Sequence, residues 1–258
     1  MMEDFLKYNY HTHTPRCNHA WGTEREYIEM AIGAGIKRLG FSDHAPYPQD
    51  PGFQSTIRMP MDMIADYRDC LRALQREYAD RIEIRVGFEA EYIPEKFQEQ
   101  MDIYDSMGFD YLILGQHFFA TEQGPYTGTP TADDGRMREY AELVISAIET
   151  GRFLYIAHPD IINYQGLDSV YEWEVTRICQ AAKEHGVPLE LNALGYANGK
   201  QYPSDRFFSI AAQVGNDVII GMDAHEPRQL VDRDAYEGCV AMAQRLGLHL
   251  IDVGGLLQ

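Results

Sequence analysis

The chain has 258 residues and a formal net charge of −18 at pH 7, because 40 Asp and Glu outnumber 22 Lys and Arg. Its 45% of hydrophobic and 24% of charged residues match an ordinary globular protein, which excludes disordered, collagen-like and coiled-coil chains. The acidic balance also argues against broad nucleic-acid binding, which requires clustered Lys and Arg.

The sequence predicts neither a membrane span nor a signal peptide. No run of about 18 apolar residues is present, and the opening MMEDFLKYNYHTHT lacks the apolar core of a signal peptide. The four cysteines, Cys17, Cys70, Cys179 and Cys239, lie far apart with no CxxC pair. We therefore expect reduced thiols in a cytoplasmic protein.

Short apolar strands alternate with longer amphipathic helices along the whole chain. In chain order, we predict strands near 6–13, 37–43, 82–89, 109–116, 153–158, 187–192 and 217–223. We predict helices near 24–35, 61–79, 134–150, 169–185, 204–214 and 230–246, and a weaker one near 95–105. The helical spacing of Ile64, Tyr67 and Leu71 is typical of this pattern, and Thr23 followed by Glu26 predicts a capping box.

The repeated β–α order predicts an α/β fold with parallel strands. About seven such units favour a barrel like the TIM barrel over an open sheet. Since no linker or charge block divides the sequence, residues 1–258 are expected to form one domain. The irregular segment 46–60 is too long for a plain connection, and it fits either a lid or binding loop or a surface insertion.

Seven of the nine histidines lie at or just after the carboxyl end of a predicted strand. In β/α barrels this end carries the active site, because the βα loops converge there. His11 and His13 end the first strand on the same face, since side chains alternate along a strand. The others are His19 in the next loop, His44, His117, His158 and His225.

Acidic residues accompany these histidines. Strand parity places Glu89 on the inner face of the third strand, so that it points into the mouth of the barrel. Asp223 and His225 share a face at the end of the last strand, and Asp43 precedes His44. Buried carboxylates and imidazoles gathered in one place are costly unless they are paired or bound to metal.

Any one of these residues alone is explained as a hydrogen-bonded structural side chain, but their joint placement favours a polynuclear metal site. Neutral imidazoles and carboxylates suit zinc, iron or manganese. His185 and His249 lie outside the pattern. We interpret His185 as a partner of a helix dipole and His249 as a structural residue. Cys17 is near His13 but is interpreted as a core or surface residue.

The motifs HTH, SDH, GFE, GQH, AHP and DAH occur in the order and spacing of the PHP (polymerase and histidinol phosphatase) superfamily. Within it, the segments DHAPYP, RMPMDMIADY and GFEAEYIPE most resemble the histidinol-phosphate phosphatases, over essentially the whole chain. The resemblance implies a distorted seven-stranded β/α barrel with a trinuclear site. It further implies three ligand sets: His11, His13, Glu89 and Asp223; Glu89, His117 and His158; and His19, His44 and His225.

The chemistry that would follow is hydrolysis of L-histidinol phosphate to L-histidinol and phosphate, a step of histidine biosynthesis. A hydroxide bridging divalent ions would attack phosphorus in line with the leaving alcohol. We assign catalytic roles to Glu89, Asp223 and His225, and to Asp43 as an orienting residue. Candidate substrate contacts are Arg16 and Arg58 for phosphate, and Glu91 and Asn192 at strand ends.

Three other hypotheses stay open. The site could serve another small phosphomonoester, such as a sugar or nucleotide phosphate. An amidohydrolase also opens with HxH on its first strand, although it would place its carboxylate on a later strand. A metal-binding protein without catalysis would have a closed, four-coordinate site. The sequence does not indicate the oligomeric state.

Overall fold

The structure is a computed structural model that describes residues 5–257, in which helices and strands alternate. The strands are β1 (Tyr8–Asn9), β2 (Arg38–Phe41), β3 (Glu83–Ala90), β4 (Tyr111–Leu114), β5 (Leu189–Asn192), β6 (Asp217–Gly221) and β7 (His249–Leu250). The helices are α1 (Glu24–Ala34), α2 (Ile64–Glu77), α3 (Phe97–Met107), α4 (Asp134–Glu149), α5 (Asp168–Glu184), α6 (Ala193–Ala197), α7 (Asp205–Val214) and α8 (Arg233–Leu246). Single 3-10 turns occupy Pro15–Cys17, Met61–Met63, Gln229–Val231 and Val253–Gly255.

Paired strands run parallel, as expected when helices connect them. They form a four-stranded sheet of order β1-β2-β3-β4 and a three-stranded sheet of order β5-β6-β7. Ile156 joins the two sheets, because it forms isolated parallel bridges to Leu114 and to Leu189. On the opposite side, Thr12 bridges Ala224. The result is a mixed α/β fold with a curled parallel sheet.

The predicted seven-stranded barrel is confirmed only in part. Residues 153–158 form no regular strand, although the N–H of Leu154 donates to Leu112 O (2.8 Å). The segment still hydrogen-bonds on both sides, since Ala157 N donates to Leu114 O (2.8 Å) and Ile156 N donates to Pro188 O (3.0 Å). It ends where His158 turns at a φ of 29° and donates its N–H to a side chain. The short strand β7 was not predicted, since His249 and Leu250 are both exposed and show no buried pattern.

The helices follow the predicted apolar spacing. In α2, the residues Ile64, Tyr67 and Leu71 are buried against the core of the protein. The predicted capping box forms at the start of α1, where Thr23 and Glu26 satisfy each other's backbone N–H groups. These helices cover the outer faces of the strands and leave the strand ends free to carry the site.

The short helix α6 was not predicted; the Asn192 side chain begins it by accepting a hydrogen bond from Gly195 N (2.8 Å). Within residues 5–257, no helix is both long enough and apolar enough to cross a bilayer. All four cysteines are free thiols.

Candidate metal centre and active site

All nine predicted metal ligands lie together at the carboxyl end of the strands. Backbone pairing explains this convergence: the Thr12–Ala224 bridge sets His11 and His13 beside Asp223. A second bridge pairs His44 with Glu89 itself. The ligand atoms form five groups whose members lie within 4.8 Å of one another. These are His13, Cys17 and His225; His19, His44 and His225; His11, His13 and Glu89; His11, His158 and Asp223; and His44, Glu89 and His117.

Glu89 occupies the centre of this cluster and is only 1% exposed. Each of its carboxylate oxygens faces more than one imidazole. Oε1 lies 2.8 Å from His158 Nε2 and 3.4 Å from His117 Nε2. Oε2 lies 2.9 Å from His44 Nδ1, 3.5 Å from His13 Nε2 and 3.6 Å from His11 Nε2.

Asp223 forms the second acidic point of the cluster. Its Oδ1 lies 3.2 Å from the Nε2 atoms of both His11 and His13, and 3.5 Å from His225 Nδ1. At the rim, His19 Nε2 and His225 Nε2 lie 3.0 Å apart. Donors around an ion at about 2.1 Å lie about 3.0–3.4 Å from one another, so these spacings suit shared metal ions.

Unpaired buried atoms give an independent test of whether metal ions fit. Both carboxylate oxygens of Glu89 lack a hydrogen-bond partner, as do His11 Nε2 and both ring nitrogens of His13. Buried polar atoms in this state are costly and uncommon in native proteins. Because the orphaned atoms are imidazole nitrogens and carboxylate oxygens that face one another, the residues fit divalent metal ions such as zinc, iron or manganese.

The protonation states agree with this conclusion. Burial holds the pKa of His13 at about 3, so its imidazole is neutral. Burial alone would raise the pKa of Glu89, but the imidazoles around it, His117 first, hold that pKa well below its usual value. The pKa of Asp223 is likewise held well below its usual value, since His11 outweighs its burial. Metal binding requires ionised carboxylates and neutral imidazoles. His11 and His158 differ from His13: despite their burial, Asp223 and Glu89 beside them raise their pKa values, so a bound metal would displace protons from these two rings.

Asp43 lies behind the cluster and is fully buried. It accepts hydrogen bonds from the backbone N–H of Thr14 (2.6 Å) and from the Thr14 hydroxyl. Burial raises its pKa to about 7. The imidazole it approaches is that of His13, at 3.8 Å from Nδ1, so its predicted orienting role concerns His13 and stays a prediction.

Glu190 belongs to this environment, and the sequence reasoning missed it. Its Oε1 lies 2.8 Å from His11 Nδ1, and its Oε2 accepts hydrogen bonds from His158 N and Asn192 Nδ2, both at 2.9 Å. A signal was present: Glu190 and Asn192 alternate with Leu189 and Leu191 in β5, so the two polar side chains share one face of the strand.

Two glycines make room for the acidic side chains. A Cβ on Gly115 would lie 2.5 Å from the carboxyl carbon of Glu89, and one on Gly221 would lie 2.6 Å from that of Glu190. Both distances are far below an ordinary contact of 3.4 Å or more. The motifs GQH and GMDAH therefore need their glycines for space.

The backbone is strained at two of the candidate ligands. His158 has a φ of 29° and Asp223 a φ of 51°, in the left-handed region that non-glycine residues seldom adopt. Such strain persists only where the surroundings hold it, and it clusters at functional sites.

The four predicted substrate contacts are all engaged within the protein. Arg58 is buried and pairs with Glu91 (2.7 Å) and Glu122 (3.1 Å). Arg16 pairs with Glu24 and with Asp66, and Asn192 Nδ2 donates to Asp223 Oδ2 (3.1 Å). None of the four lines the cavity described next, and their contact with substrate stays a prediction.

A cavity of about 490 Å³ opens beside the cluster. Its walls combine cluster residues with apolar and aromatic side chains, and no Lys or Arg is among them in the described part of the chain. Ile57 brings the 46–60 segment to its edge, so a binding loop and an insertion both stay open. The non-cluster lining residues are Trp21, Ile57, Phe118, Tyr126, Ile161, Leu194, Asn198, Tyr202, Glu226 and Gln229.

The residues set apart from the site lie as follows. His249 is exposed and its Nδ1 lies 2.6 Å from Asp217 Oδ1, whereas His185 caps the end of α5. Cys17 is buried, and its thiol lies within 4.8 Å of ligand atoms of His13 and His225. Burial raises the pKa of that thiol.

Comparison with known proteins agrees with the motifs. Residues 9–194 match the family described as the PHP domain. A probable histidinol-phosphatase of Deinococcus radiodurans is 31% identical over 232 residues, covering 85% of this chain and 86% of its own length. A histidinol-phosphatase of Bacillus subtilis is 26% identical over 251 residues, covering 84% of this chain and 92% of its own length.

One solved structure shares the fold over nearly the whole chain. It is the histidinol phosphate phosphatase of Lactococcus lactis in complex with zinc, L-histidinol and phosphate. It superposes with a TM-score of 0.72 at 20% identity and covers 95% of each chain. The family match, the relative at 31% identity and the cluster of histidines and acids agree with the resemblance predicted from the motifs. The chain belongs to the PHP-domain family.

Proposed function

We propose that the protein is a metal-dependent phosphatase that hydrolyses L-histidinol phosphate to L-histidinol and phosphate. The relatives that carry the name histidinol-phosphatase match this chain along most of their length. The observation that carries the proposal is the central position of Glu89, whose two oxygens face five imidazoles at the floor of an open cavity.

Three divalent ions, zinc, iron or manganese, are proposed for the cluster. His11, His13, Glu89 and Asp223 would hold one, and Glu89 would bridge to a second held with His117 and His158. His19, His44 and His225, whose nitrogens form one of the groups within 4.8 Å, would hold the third. When bound, such ions lower the pKa of water and withdraw charge from a phosphoryl group.

The residues of the chain would perform the remaining tasks. Glu89 and Asp223 stay ionised and keep the cluster together, while the neutral imidazole of His13 leaves a lone pair for coordination. Since no Lys or Arg lines the described cavity, the charge of the phosphate would be balanced at the metal cluster. The aromatic and apolar walls would receive the leaving alcohol.

The open cavity argues against a closed metal site without catalysis, and membership in the PHP family argues against an amidohydrolase. A different small phosphomonoester is the remaining alternative for the substrate. As part of the same proposal, residues 1–258 act as one domain in the cytoplasm on a small metabolite, without a nucleic-acid partner.

The test is a substrate panel on protein loaded with zinc, iron or manganese. L-histidinol phosphate, a sugar phosphate, a nucleoside monophosphate and an amide are compared by kcat/KM. We expect selective release of phosphate from L-histidinol phosphate, loss of that activity in Glu89→Gln, and normal activity in Glu174→Gln, a buried glutamate remote from the cluster. If another phosphomonoester were hydrolysed faster, that compound would be the substrate instead of L-histidinol phosphate. If no phosphomonoester were hydrolysed, the proposal would be wrong.

A further inference from the structure

Glu190 makes contacts that the proposed function does not use. It is fully buried in β5, and its two oxygens serve different partners. Oε1 lies 2.8 Å from His11 Nδ1, while Oε2 accepts from His158 N and from Asn192 Nδ2. Asn192 in turn donates to Asp223 Oδ2 at 3.1 Å. One carboxylate thus connects three candidate metal ligands that are far apart in sequence.

The chemistry of these contacts determines the tautomer of His11. An ionised carboxylate only accepts hydrogen bonds, so the Nδ1 of His11 must carry the proton that it donates to Glu190. In the neutral ring, the lone pair then lies on Nε2, which faces Asp223 Oδ1 (3.2 Å) and Glu89 Oε2 (3.6 Å). A ligating histidine needs this arrangement, with its other nitrogen held by a carboxylate.

The same carboxylate holds strained backbone. The N–H that Glu190 accepts belongs to His158, whose φ is 29°. Without that acceptor, the buried N–H would lose its partner and the strained turn would lose a restraint. Gly221 leaves the space in which the carboxylate lies, since a Cβ there would come within 2.6 Å of the Glu190 carboxyl carbon.

We propose that Glu190 is a positioning residue that aims His11 Nε2 at the metal, holds the turn at His158 and, through Asn192, orients Asp223. Its loss therefore weakens metal binding at more than one position of the cluster. The proposal rests on the metal binding assumed in the proposed function, but it does not depend on the identity of the substrate.

Glu190→Gln separates this role from simple packing, because the amide has nearly the same shape. If its oxygen accepts from His11, its NH₂ group faces two donors, His158 N and Asn192 Nδ2. If it is flipped, its NH₂ group faces His11 Nδ1, and the ring must carry its proton on Nε2, where it blocks coordination. Either arrangement costs metal affinity.

The experiment measures zinc binding without substrate. Metal-free wild type, Glu190→Gln, Glu190→Asp and Gly221→Ala are titrated with zinc against a chromophoric chelator, and bound zinc per chain is counted by mass spectrometry. We expect zinc affinity to fall about 10- to 100-fold in Glu190→Gln and in Gly221→Ala. Glu190→Asp, which keeps the acceptor charge, should recover part of the loss.

Glu174→Gln is the matched control, since Glu174 is also buried and ion-paired but lies on α5, outside the cluster. It should bind zinc as the wild type does. Unchanged zinc affinity and stoichiometry in Glu190→Gln would overturn the proposal. If that variant does not fold, unchanged zinc binding in Gly221→Ala would overturn it instead. A wild type that binds zinc but hydrolyses no phosphomonoester would contradict only the proposed function.

Discussion

Gly115→Ala should inactivate the enzyme without unfolding it. The new Cβ would lie 2.5 Å from the carboxyl carbon of Glu89, whereas ordinary contacts begin at 3.4 Å. The carboxyl carbon must therefore move by about 0.9 Å, the difference between 3.4 and 2.5 Å, and Oε1, which lies nearer still to the new Cβ, must move farther. A functional group tolerates about 0.5 Å of displacement, and about 1 Å can cost about 100-fold in rate.

The fold should survive because the clash involves the end of a flexible side chain rather than backbone. Glu89 can turn away from the new methyl group, but it then leaves the imidazoles of His117 and His158. We expect kcat/KM for L-histidinol phosphate to fall at least about 100-fold, with a nearly unchanged circular dichroism spectrum and less zinc bound per chain.

Gly33→Ala is the matched control. Gly33 lies within α1, and a Cβ there would meet nothing within 4 Å. This substitution should leave activity unchanged and stabilise the helix by about 0.5–1 kcal/mol. If Gly115→Ala kept full activity and metal content, the position of Glu89 would not matter to the reaction, and the central role assigned to it would be wrong.

Three further outcomes are expected. Removing metal with a chelator should abolish phosphate release and lower the thermal unfolding midpoint. The free energy of unfolding should fall by about 2.7 kcal/mol if metal is normally present at 100 times its Kd. Adding zinc back should restore both the activity and the midpoint. Arg58→Ala leaves the buried carboxylates of Glu91 and Glu122 unpaired and should cost about 3–5 kcal/mol in urea unfolding, whereas Arg245→Ala, at an exposed pair, should leave the midpoint unchanged. Burial raises the pKa of Asp160 to about 7 from an ordinary value of 3.8. Between these values the native protein retains a proton that the unfolded chain releases, so the free energy of unfolding declines as the pH rises from about 4 to 7. Asp160→Asn should therefore raise the unfolding midpoint over wild type more at pH 8 than at pH 4, both measured on metal-free protein; an equal effect at both pH values would contradict the assigned pKa.

The sequence predicted the α/β class and the convergence of the site because both depend on simple periodicities. Parallel strands present their carboxyl ends at one edge, so a histidine that follows a strand lies at that edge. Parity alone placed Glu89 on the inner face, where the structure has it. The same rule applied to β5 would have found Glu190, but an isolated acid in a short strand does not stand out without its partner, His11, which lies 179 positions away.

What could not be predicted depends on contacts between distant segments. An arginine in a loop is usually exposed, so nothing in the sequence indicates that Arg58 is buried. The fold brings Glu91 and Glu122 to Arg58 and buries all three side chains. The predicted strand 153–158 ends in a turn at His158, whose φ of 29° no local pattern predicts. Strand β7 has two exposed residues, so pairing with β6 rather than burial defines it.

The distribution of charge links these observations. Four buried carboxylates lie in the cluster or beside its imidazoles, namely those of Glu89 and Asp223 within it and those of Asp43 and Glu190 next to it. The nearby cations are already neutralised, since Arg16 pairs with Glu24 and Asp66 while Arg58 pairs with Glu91 and Glu122. A phosphate dianion in a cavity without Lys or Arg on its described walls would meet net negative charge unless metal ions reverse it. The same ions would therefore stabilise the fold and bind the substrate, so loss of metal should lower stability and activity together. Among the variants of Glu190, Gly115 and Gly221, the variant that binds metal most weakly should also be the least stable and the least active.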